Sequence, residues 1–152
     1  MSRAEDAGTP AVAYQVALSG AGWGAPLGWT QLKARLVADA FDNGRTPEQL
    51  ERSFANSAVA VLAVDGAGGI IGTARALSDG VCNAYIVDVW TYSPYRGQGI
   101  ARRMLELLLE RLPGQHVYLW TDSAPDFYRR IGFRPVHAVG FEQVVGEWLV
   151  NG

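Results

Sequence analysis

Apolar and polar residues follow two different spacings in the first part of the chain, and these predict one strand followed by two helices. Residues 11–18, AVAYQVAL, combine β-branched and aromatic residues and predict a strand. Residues 29–41 repeat apolar residues at helical spacing, at Trp29, Leu32, Leu36, Val37 and Ala40. Pro47 suits the first turn of a further helix over 47–56.

The spacing then changes to that of a sheet. Residues 57–77 predict two strands joined by a glycine-rich turn, and residues 83–92 predict another strand. The remaining predicted elements are a helix over 99–114, a strand over 115–122, a short helix over 124–133 that ends at Gly132, and closing strands over 134–139 and 140–150. This order predicts an α/β (α+β) domain, in which a mixed sheet has helices on its faces.

Length and composition support a single domain. The chain has 152 residues, of which 49% are hydrophobic, so it can build one full core. We expect residues 1–10 to form a flexible N-terminal tail and residues 11–152 to form the domain.

Charge and cysteine content exclude several function classes. The net charge of −2 argues against a nucleic-acid partner. Cys82 is the only cysteine, so no internal disulfide is expected, and the two histidines are too far apart to suggest a metal site. The polar start of the sequence and the lack of a membrane-spanning apolar run predict a cytoplasmic protein with no membrane partner.

The turn that enters the helix at residue 99 is the main candidate for chemistry. It contains Gly97 and Gly99, flanked by Arg96 and Arg102. Free N–H groups at a helix start form an anion site, glycines let the backbone curl around the anion, and arginines add charge-assisted hydrogen bonds. The turn therefore predicts a diphosphate ligand.

Three phosphate-binding motifs compete for this turn. The P-loop string GxxxxGK[ST] is absent. The dinucleotide motif GxGxxG matches at Gly97 and Gly99, but Arg102 occupies the third glycine position; Asp122 after the next strand would then bind a ribose. A third pattern, [QR]-x-x-G-x-[GA], is satisfied by Arg96, Gly99 and Ala101. A dinucleotide-dependent oxidoreductase thus remains an alternative at this stage.

The third pattern, together with APDFYRRIGFRPV further on, resembles the GNAT superfamily of N-acetyltransferases. Within it, residues 78–135 are most similar to the plastid serotonin (arylalkylamine) N-acetyltransferases of plants and their bacterial relatives. The resemblance implies the GNAT fold, with a mostly antiparallel sheet, helices on both faces, and two parallel strands, here 84–91 and 115–121, that splay apart to admit acetyl-CoA.

Residue by residue, the resemblance implies a cofactor site without a metal. The pantetheine arm of acetyl-CoA would pair with the backbone of Val89, Trp90 and Thr91. The pyrophosphate would bind over Arg96, Gly97, Gln98, Gly99, Ile100 and Ala101, with Arg102 close by. Tyr128 matches the tyrosine that commonly stands beside the sulfur of the cofactor, where its hydroxyl would protonate the departing thiolate.

The implied reaction is direct attack of a small primary amine on the thioester in a ternary complex. Asp88 is the leading candidate for the base, with a pKa raised by its apolar strand, and Asp122 is the second. The N–H of Val89 would stabilise charge on the thioester oxygen. Thr121 departs from the superfamily, which often has Asn seven residues before the tyrosine.

The resemblance also leads to expectations about the amine acceptor and about the oligomeric state. Trp23 and Trp29 flank the region where the superfamily builds its acceptor site, and they would form an aromatic wall for an arylalkylamine, or serve as core anchors. The strand predicted over 140–150 is apolar on both faces and predicts pairing in a homodimer. A non-catalytic module that senses CoA is a further alternative.

Overall fold

The computed structural model describes residues 11–23 and 27–147. The strands are β1 (Ala13–Leu18), β2 (Val59–Val64), β3 (Ile70–Ser78), β4 (Asn83–Thr91) and β5 (His116–Tyr118). The helices are α1 (Trp29–Ala38), α2 (Pro47–Ala55), α3 (Ile100–Leu109) and α4 (Pro125–Ile131), with a 3₁₀ turn at Ser93–Tyr95. The tail predicted over 1–10 lies outside the described residues.

The five strands form one mixed sheet in the order β1-β2-β3-β4-β5. Neighbouring strands are antiparallel except β4 and β5, which run parallel. Their register pairs only residues 83–85 with 116–118, and β4 continues to Thr91 without β5 beside it. The predicted fold class is therefore confirmed, including a parallel pair that separates toward its carboxyl end.

Helices cover both faces of the sheet, because each presents an apolar stripe to it. On α3 the buried residues are Ile100, Met104, Leu105 and Leu108, all on the side facing the sheet. The backbone of β3 approaches this helix so closely that a Cβ on Gly72 would lie 3.0 Å from the sulfur of Met104. On the opposite face, α1 and α2 bury Leu32, Leu36 and Leu50 against β2 and β3.

The prediction of strands over 134–139 and 140–150 is wrong for the part of the chain that the structure describes. Residues 134–147 form neither strand nor helix, and Phe141 is 94% exposed. An alternating apolar pattern becomes a strand only where a neighbouring strand satisfies its backbone hydrogen bonds, and among the described residues this segment has no such neighbour. Residues 148–150 lie outside the described part of the chain, and the homodimer built on this segment stays a prediction.

The strand predicted over 115–122 is also shorter than expected. Only His116–Tyr118 pair with β4, and the chain beyond them leaves the sheet. As a result Trp120 is 68% exposed. Within residues 11–23 and 27–147, no helix is long and apolar enough to cross a membrane.

Candidate active site

A β-bulge in β4 shapes the centre of the candidate site. The register pairs Thr73 with Trp90 and Arg75 with Val87, so two residues of β4 stand opposite one residue of β3. One of them, Asp88, has a φ of 56°, in the left-handed region that aspartate tolerates better than most residues. The hydroxyl of Thr73 donates to the backbone carbonyl of Asp88 at 2.7 Å and so holds this conformation.

The carboxylate of Asp88 lies between two arginines. Arg45 Nη1 and Nη2 donate to its two oxygens at 3.0 and 2.9 Å, and Arg75 Nε donates at 2.6 Å. Arg45 is itself buried, and its Nε is held by Asn43 Oδ1 at 2.9 Å. The three charged groups are almost out of solvent and together carry one excess positive charge.

This arrangement overturns the raised pKa expected for Asp88. Burial by itself would raise the pKa, but the hydrogen bonds and charge of Arg45, followed by those of Arg75, outweigh burial and lower the pKa of the carboxyl. The expectation was wrong because nothing in YIVDVW shows that Arg45, from the segment between α1 and α2, reaches this strand. An ionised carboxylate bound to two guanidinium groups is a weak base.

The predicted cofactor turn has the geometry of an anion cradle. Gly97 and Gly99 have φ values of 78° and 77°, and Gly99 precedes α3 without any side-chain cap. Among the described residues, the backbone N–H groups of residues 97–102 have no hydrogen-bond acceptor. A Cβ at either glycine would meet nothing within 4 Å, so the cradle opens outward and a diphosphate fits it.

The two arginines of this turn lie close enough to the cradle to bind the same anion. Arg96 donates from Nε to the carbonyl of Thr91 at 3.1 Å, and Arg102 Nε lies 3.3 Å from Glu106 Oε1. Both side chains are more than half exposed, so an anion can reach them. Next to them, the hydroxyl of Thr91 is buried and has no partner among the described residues. An orphaned polar atom beside the cradle suits a polar group of the pantetheine arm.

Asp39 is a residue of this site that the sequence analysis missed. It follows α1, and its nearly buried Oδ2 accepts hydrogen bonds from Trp90 Nε1 at 3.0 Å and from the backbone N–H of Ser93 at 2.9 Å. Arg96 Nη2 lies 3.5 Å from the same oxygen. Burial would raise the pKa of Asp39, but the hydrogen bonds from Ser93 and Trp90 and the charge of Arg96 lower it.

Tyr128 lies on α4, half-buried between two phenylalanines. Its ring meets those of Phe127 and Phe133 edge to face, at centroid distances of 5.1 and 5.9 Å. Burial raises the pKa of its hydroxyl above the ordinary value of 10.0. The hydroxyl is thus protonated at neutral pH, as an acid must be, and it has no hydrogen-bond partner among the described residues.

The other predicted site residues have no hydrogen bond or ion pair, among the described residues, with the Asp88 ion pairs or the cofactor cradle. Asp122 is exposed and makes no ion pair with any described residue. Its neighbour Thr121 accepts a hydrogen bond from Ala124 N at 3.1 Å in the turn that precedes α4. Trp29 is only 7% exposed and packs on Phe54 at 5.6 Å. It is an anchor of the core, and Trp23 lies half-buried 6.4 Å from it.

Comparison with known proteins agrees with this geometry. The family model described as "Acetyltransferase (GNAT) family" matches residues 29–133, which include the bulge, the cradle and Tyr128. The chain is similar to the chloroplastic GCN5-related N-acetyltransferase 2 of Arabidopsis thaliana, with 40% identity over 68 residues, 42% of this chain and 26% of that protein. The matched segment spans less than a third of the curated plant relatives.

Solved structures show the same architecture along most of the chain. A candidate acetyltransferase of Deinococcus radiodurans R1 is 28% identical and superposes with a TM-score of 0.68, over 87% of this chain and 88% of that one. A predicted acetyltransferase of Clostridium acetobutylicum, solved with acetyl-CoA, has a TM-score of 0.61 at 19% identity, over 88% and 96% of the two chains. The family match covers more than half of the residues, and it favours acyl transfer over the dinucleotide-dependent oxidoreductase. The chain belongs to the GNAT family of acetyltransferases.

Proposed function

We propose that the protein transfers the acetyl group of acetyl-CoA to the primary amine of a small molecule, an arylalkylamine in the first instance. The observation that carries this proposal is the open cradle at residues 96–101, placed where β4 has parted from β5. Its N–H groups, which have no acceptor in the described part of the chain, suit the pyrophosphate of acetyl-CoA, and the separated strands leave room for the pantetheine arm beside Thr91.

The protein's own residues supply proton transfer and orientation. The amine nitrogen attacks the thioester carbon, the carbon–sulfur bond breaks, and the thiolate takes a proton from Tyr128, whose pKa is raised by burial. The N–H of Val89, beside the bulge, stabilises charge on the thioester oxygen. The ion pairs of Asp88 favour a chain of water molecules over this carboxylate as the route for the amine proton.

Calorimetric titration with acetyl-CoA, with NADH as the control ligand, tests the cofactor. Saturable binding of acetyl-CoA alone, followed by amine-dependent release of free thiol, is the expected result. Binding of NADH alone would instead mean that the cradle serves a dinucleotide. Binding of acetyl-CoA without thiol release from a broad amine panel would favour the module that only senses CoA.

The assembly and the location remain parts of the proposal. A homodimer predicts twice the chain mass in light scattering at micromolar concentration, and a monomer there would contradict it. A cytoplasmic location is tested by fractionating the cells that express the protein.

A further inference from the structure

The proposed reaction gives no role to Arg75 of β3, although this cation lies at the centre of the site. Its side chain is only 15% exposed. Three contacts hold the guanidinium: Nε donates to Asp88 at 2.6 Å, Nη1 lies 3.4 Å from Ser57 Oγ, and Cζ stands 5.7 Å from the centre of the Phe54 ring. The group is thus fixed in position, which lowers the entropy cost of binding a ligand.

One nitrogen of this guanidinium is left for a further acceptor. Nη2 of Arg75 makes no hydrogen bond with any residue that the structure describes. Arg45, by contrast, engages all three of its side-chain nitrogens, with Nη1 and Nη2 on Asp88 and Nε on Asn43. Of the two arginines around Asp88, Arg75 is therefore the one with a donor group to offer a ligand.

The charges around Asp88 do not balance. Arg45 and Arg75 place two positive charges on one carboxylate. Asp42 also feels the charge of Arg45, but it lies 2.5 Å from Lys33 and is already paired there. Because burial of an uncompensated charge is costly, the one excess positive charge favours an anionic ligand.

The size of the excess charge indicates which anion fits. A guanidinium binds carboxylates and phosphates through charge-assisted hydrogen bonds. A carboxylate brings one negative charge and would balance the site. A phosphate monoester brings up to about two and would leave a negative excess. The charge around Asp88 therefore favours a carboxylate.

The register places this donor close to the proposed site of reaction. Arg75 pairs with Val87, and Val89, whose N–H is assigned to the thioester oxygen, lies two residues further along β4. From the spacing of neighbouring strands and the rise along them, the backbones of Arg75 and Val89 lie within about 8 Å of each other. The Arg75 side chain reaches Asp88, which directly precedes Val89, and so shortens the gap. With a hydrogen bond of about 2.9 Å at the donor, a short amino acid spans the rest.

We propose that Arg75 binds a carboxylate of the amine acceptor, so that the protein acetylates short amino acids in preference to amines without an acidic group. This inference rests on the proposed function and narrows its acceptor. An aromatic ring remains compatible with it, because phenylalanine is 2-phenylethylamine with a carboxylate on the carbon that carries the amine.

The test uses pairs of acceptors that differ only by the carboxylate: phenylalanine with 2-phenylethylamine, β-alanine with ethylamine, and 4-aminobutyrate with propylamine. Thiol release gives kcat/KM for each, and the ratio within a pair measures the preference. The variant is Arg75→Gln, in which Asp88 keeps its two hydrogen bonds to Arg45. Arg35→Gln is the matched control, because Arg35 is 18% exposed, lies 4.0 Å from an aspartate and covers an aromatic ring, but does not touch Asp88.

We expect the wild type to prefer the amino acid at least tenfold in one or more pairs. Arg75→Gln should reduce that ratio about tenfold or more, the effect of one lost charge-assisted hydrogen bond, and Arg35→Gln should leave it within twofold. Arg75→Lys, which keeps the charge but loses the planar fork, should reduce the ratio in part, and it replaces Arg75→Gln if that variant does not fold.

Three results would overturn the inference. They are the absence of a preference in all three pairs, a ratio that the Arg75 variants leave unchanged, and an equal reduction in Arg35→Gln. A higher kcat/KM for O-phosphoethanolamine than for β-alanine would assign the donor to a phosphate and overturn the carboxylate.

Calorimetry separates failure of this inference from failure of the proposed function. If the wild type binds acetyl-CoA and acetylates ethylamine or propylamine as well as the amino acids, only the carboxylate site is refuted. If it binds no acetyl-CoA and releases no thiol, the proposed function fails and this inference fails with it. Saturable binding of phenylalanine or β-alanine to the CoA-saturated protein, weakened about tenfold by Arg75→Gln and not by Arg35→Gln, supports the site without relying on turnover.

Discussion

The carboxylate of Asp39 lies 3.0 Å from the indole nitrogen of Trp90, and this hydrogen bond joins the end of α1 to the end of β4. The same oxygen also binds the first N–H of the turn that leads to the cofactor cradle, at Ser93. One nearly buried carboxylate thus fixes the position of the cradle relative to the end of α1.

Replacing Asp39 should therefore weaken the cofactor site more than the chemistry. We expect Asp39→Ala to raise KM for acetyl-CoA about tenfold, equivalent to about one lost charge-assisted hydrogen bond, and to change kcat less than twofold. Steady-state kinetics with varied acetyl-CoA measures both. Asp42→Ala is the matched control, because Asp42 follows the same helix but pairs with Lys33, away from the cradle. Equal effects of the two variants would contradict a positioning role.

Asp88→Asn separates an electrostatic role from a catalytic one. Removing this charge leaves Arg45 and Arg75 uncompensated, and breaking a buried ion pair in this way costs about 3 kcal/mol of unfolding free energy. Urea unfolding measures that cost, and Asp122→Asn should show none of it, because this exposed carboxylate has no ion pair with any residue that the structure describes. A drop of a hundredfold or more in kcat without loss of stability would restore Asp88 as the general base.

The pH dependence of stability follows from the same residues. Asp39 and Asp88 both have lowered pKa values in the folded protein. Their contribution is fully present above the unfolded pKa of about 3.9, and it is lost as pH falls through the still lower folded pKa values. Urea midpoints measured from pH 7 to pH 3 should fall at the acid end, and less steeply in Asp88→Asn. A midpoint independent of pH would show that neither carboxylate is held as described.

Local sequence patterns predict those features of the protein whose parts are adjacent in the chain. Gly97 and Gly99 could be assigned from the sequence because a strand, a glycine turn and a helix are adjacent in the chain, and their φ values are those of the predicted cradle. The partners of Asp88 and Asp39 could not be assigned, because Arg45 and Trp90 approach them only after folding. The predicted extent of β5 was wrong, because the alternating pattern beyond Tyr118 has no neighbouring strand within residues 11–23 and 27–147.

Tyr128→Phe tests whether the hydroxyl of Tyr128 is the acid that protonates the departing thiolate. The variant keeps the ring contacts with Phe127 and Phe133, so stability and acetyl-CoA binding should change little. If the hydroxyl protonates the thiolate, kcat falls about 10²- to 10³-fold, the usual contribution of a positioned acid. Tyr14→Phe is the matched control, because Tyr14 is another half-buried tyrosine with a raised pKa, on the distant strand β1. Unchanged turnover in Tyr128→Phe would remove the acid assignment.

The pH dependence of kcat gives a second test of the acid role of Tyr128. Burial raises its pKa above 10.0, so the hydroxyl stays protonated throughout the neutral range and deprotonates only above the pH of an ordinary tyrosine. We expect kcat to show no loss from this group below about pH 10. A fall in kcat at lower pH that disappears in Tyr128→Phe would mean that the folded protein lowers this pKa.

Gly99 and Gly68 form a matched pair for testing the cradle. Their φ values are 77° and 81°, and a Cβ at either position would meet nothing within 4 Å, so alanine introduces the same backbone strain without a clash. Each substitution should cost about 1–2 kcal/mol of unfolding free energy, as expected for a left-handed alanine. Only Gly99 lies at the start of α3, and Gly68 lies in the turn between β2 and β3. We therefore expect Gly99→Ala alone to weaken acetyl-CoA binding in calorimetry, because relaxation of the strain would turn the free N–H groups away from the pyrophosphate. Equal affinity in both variants would show that the turn at Gly99 does not bind the cofactor.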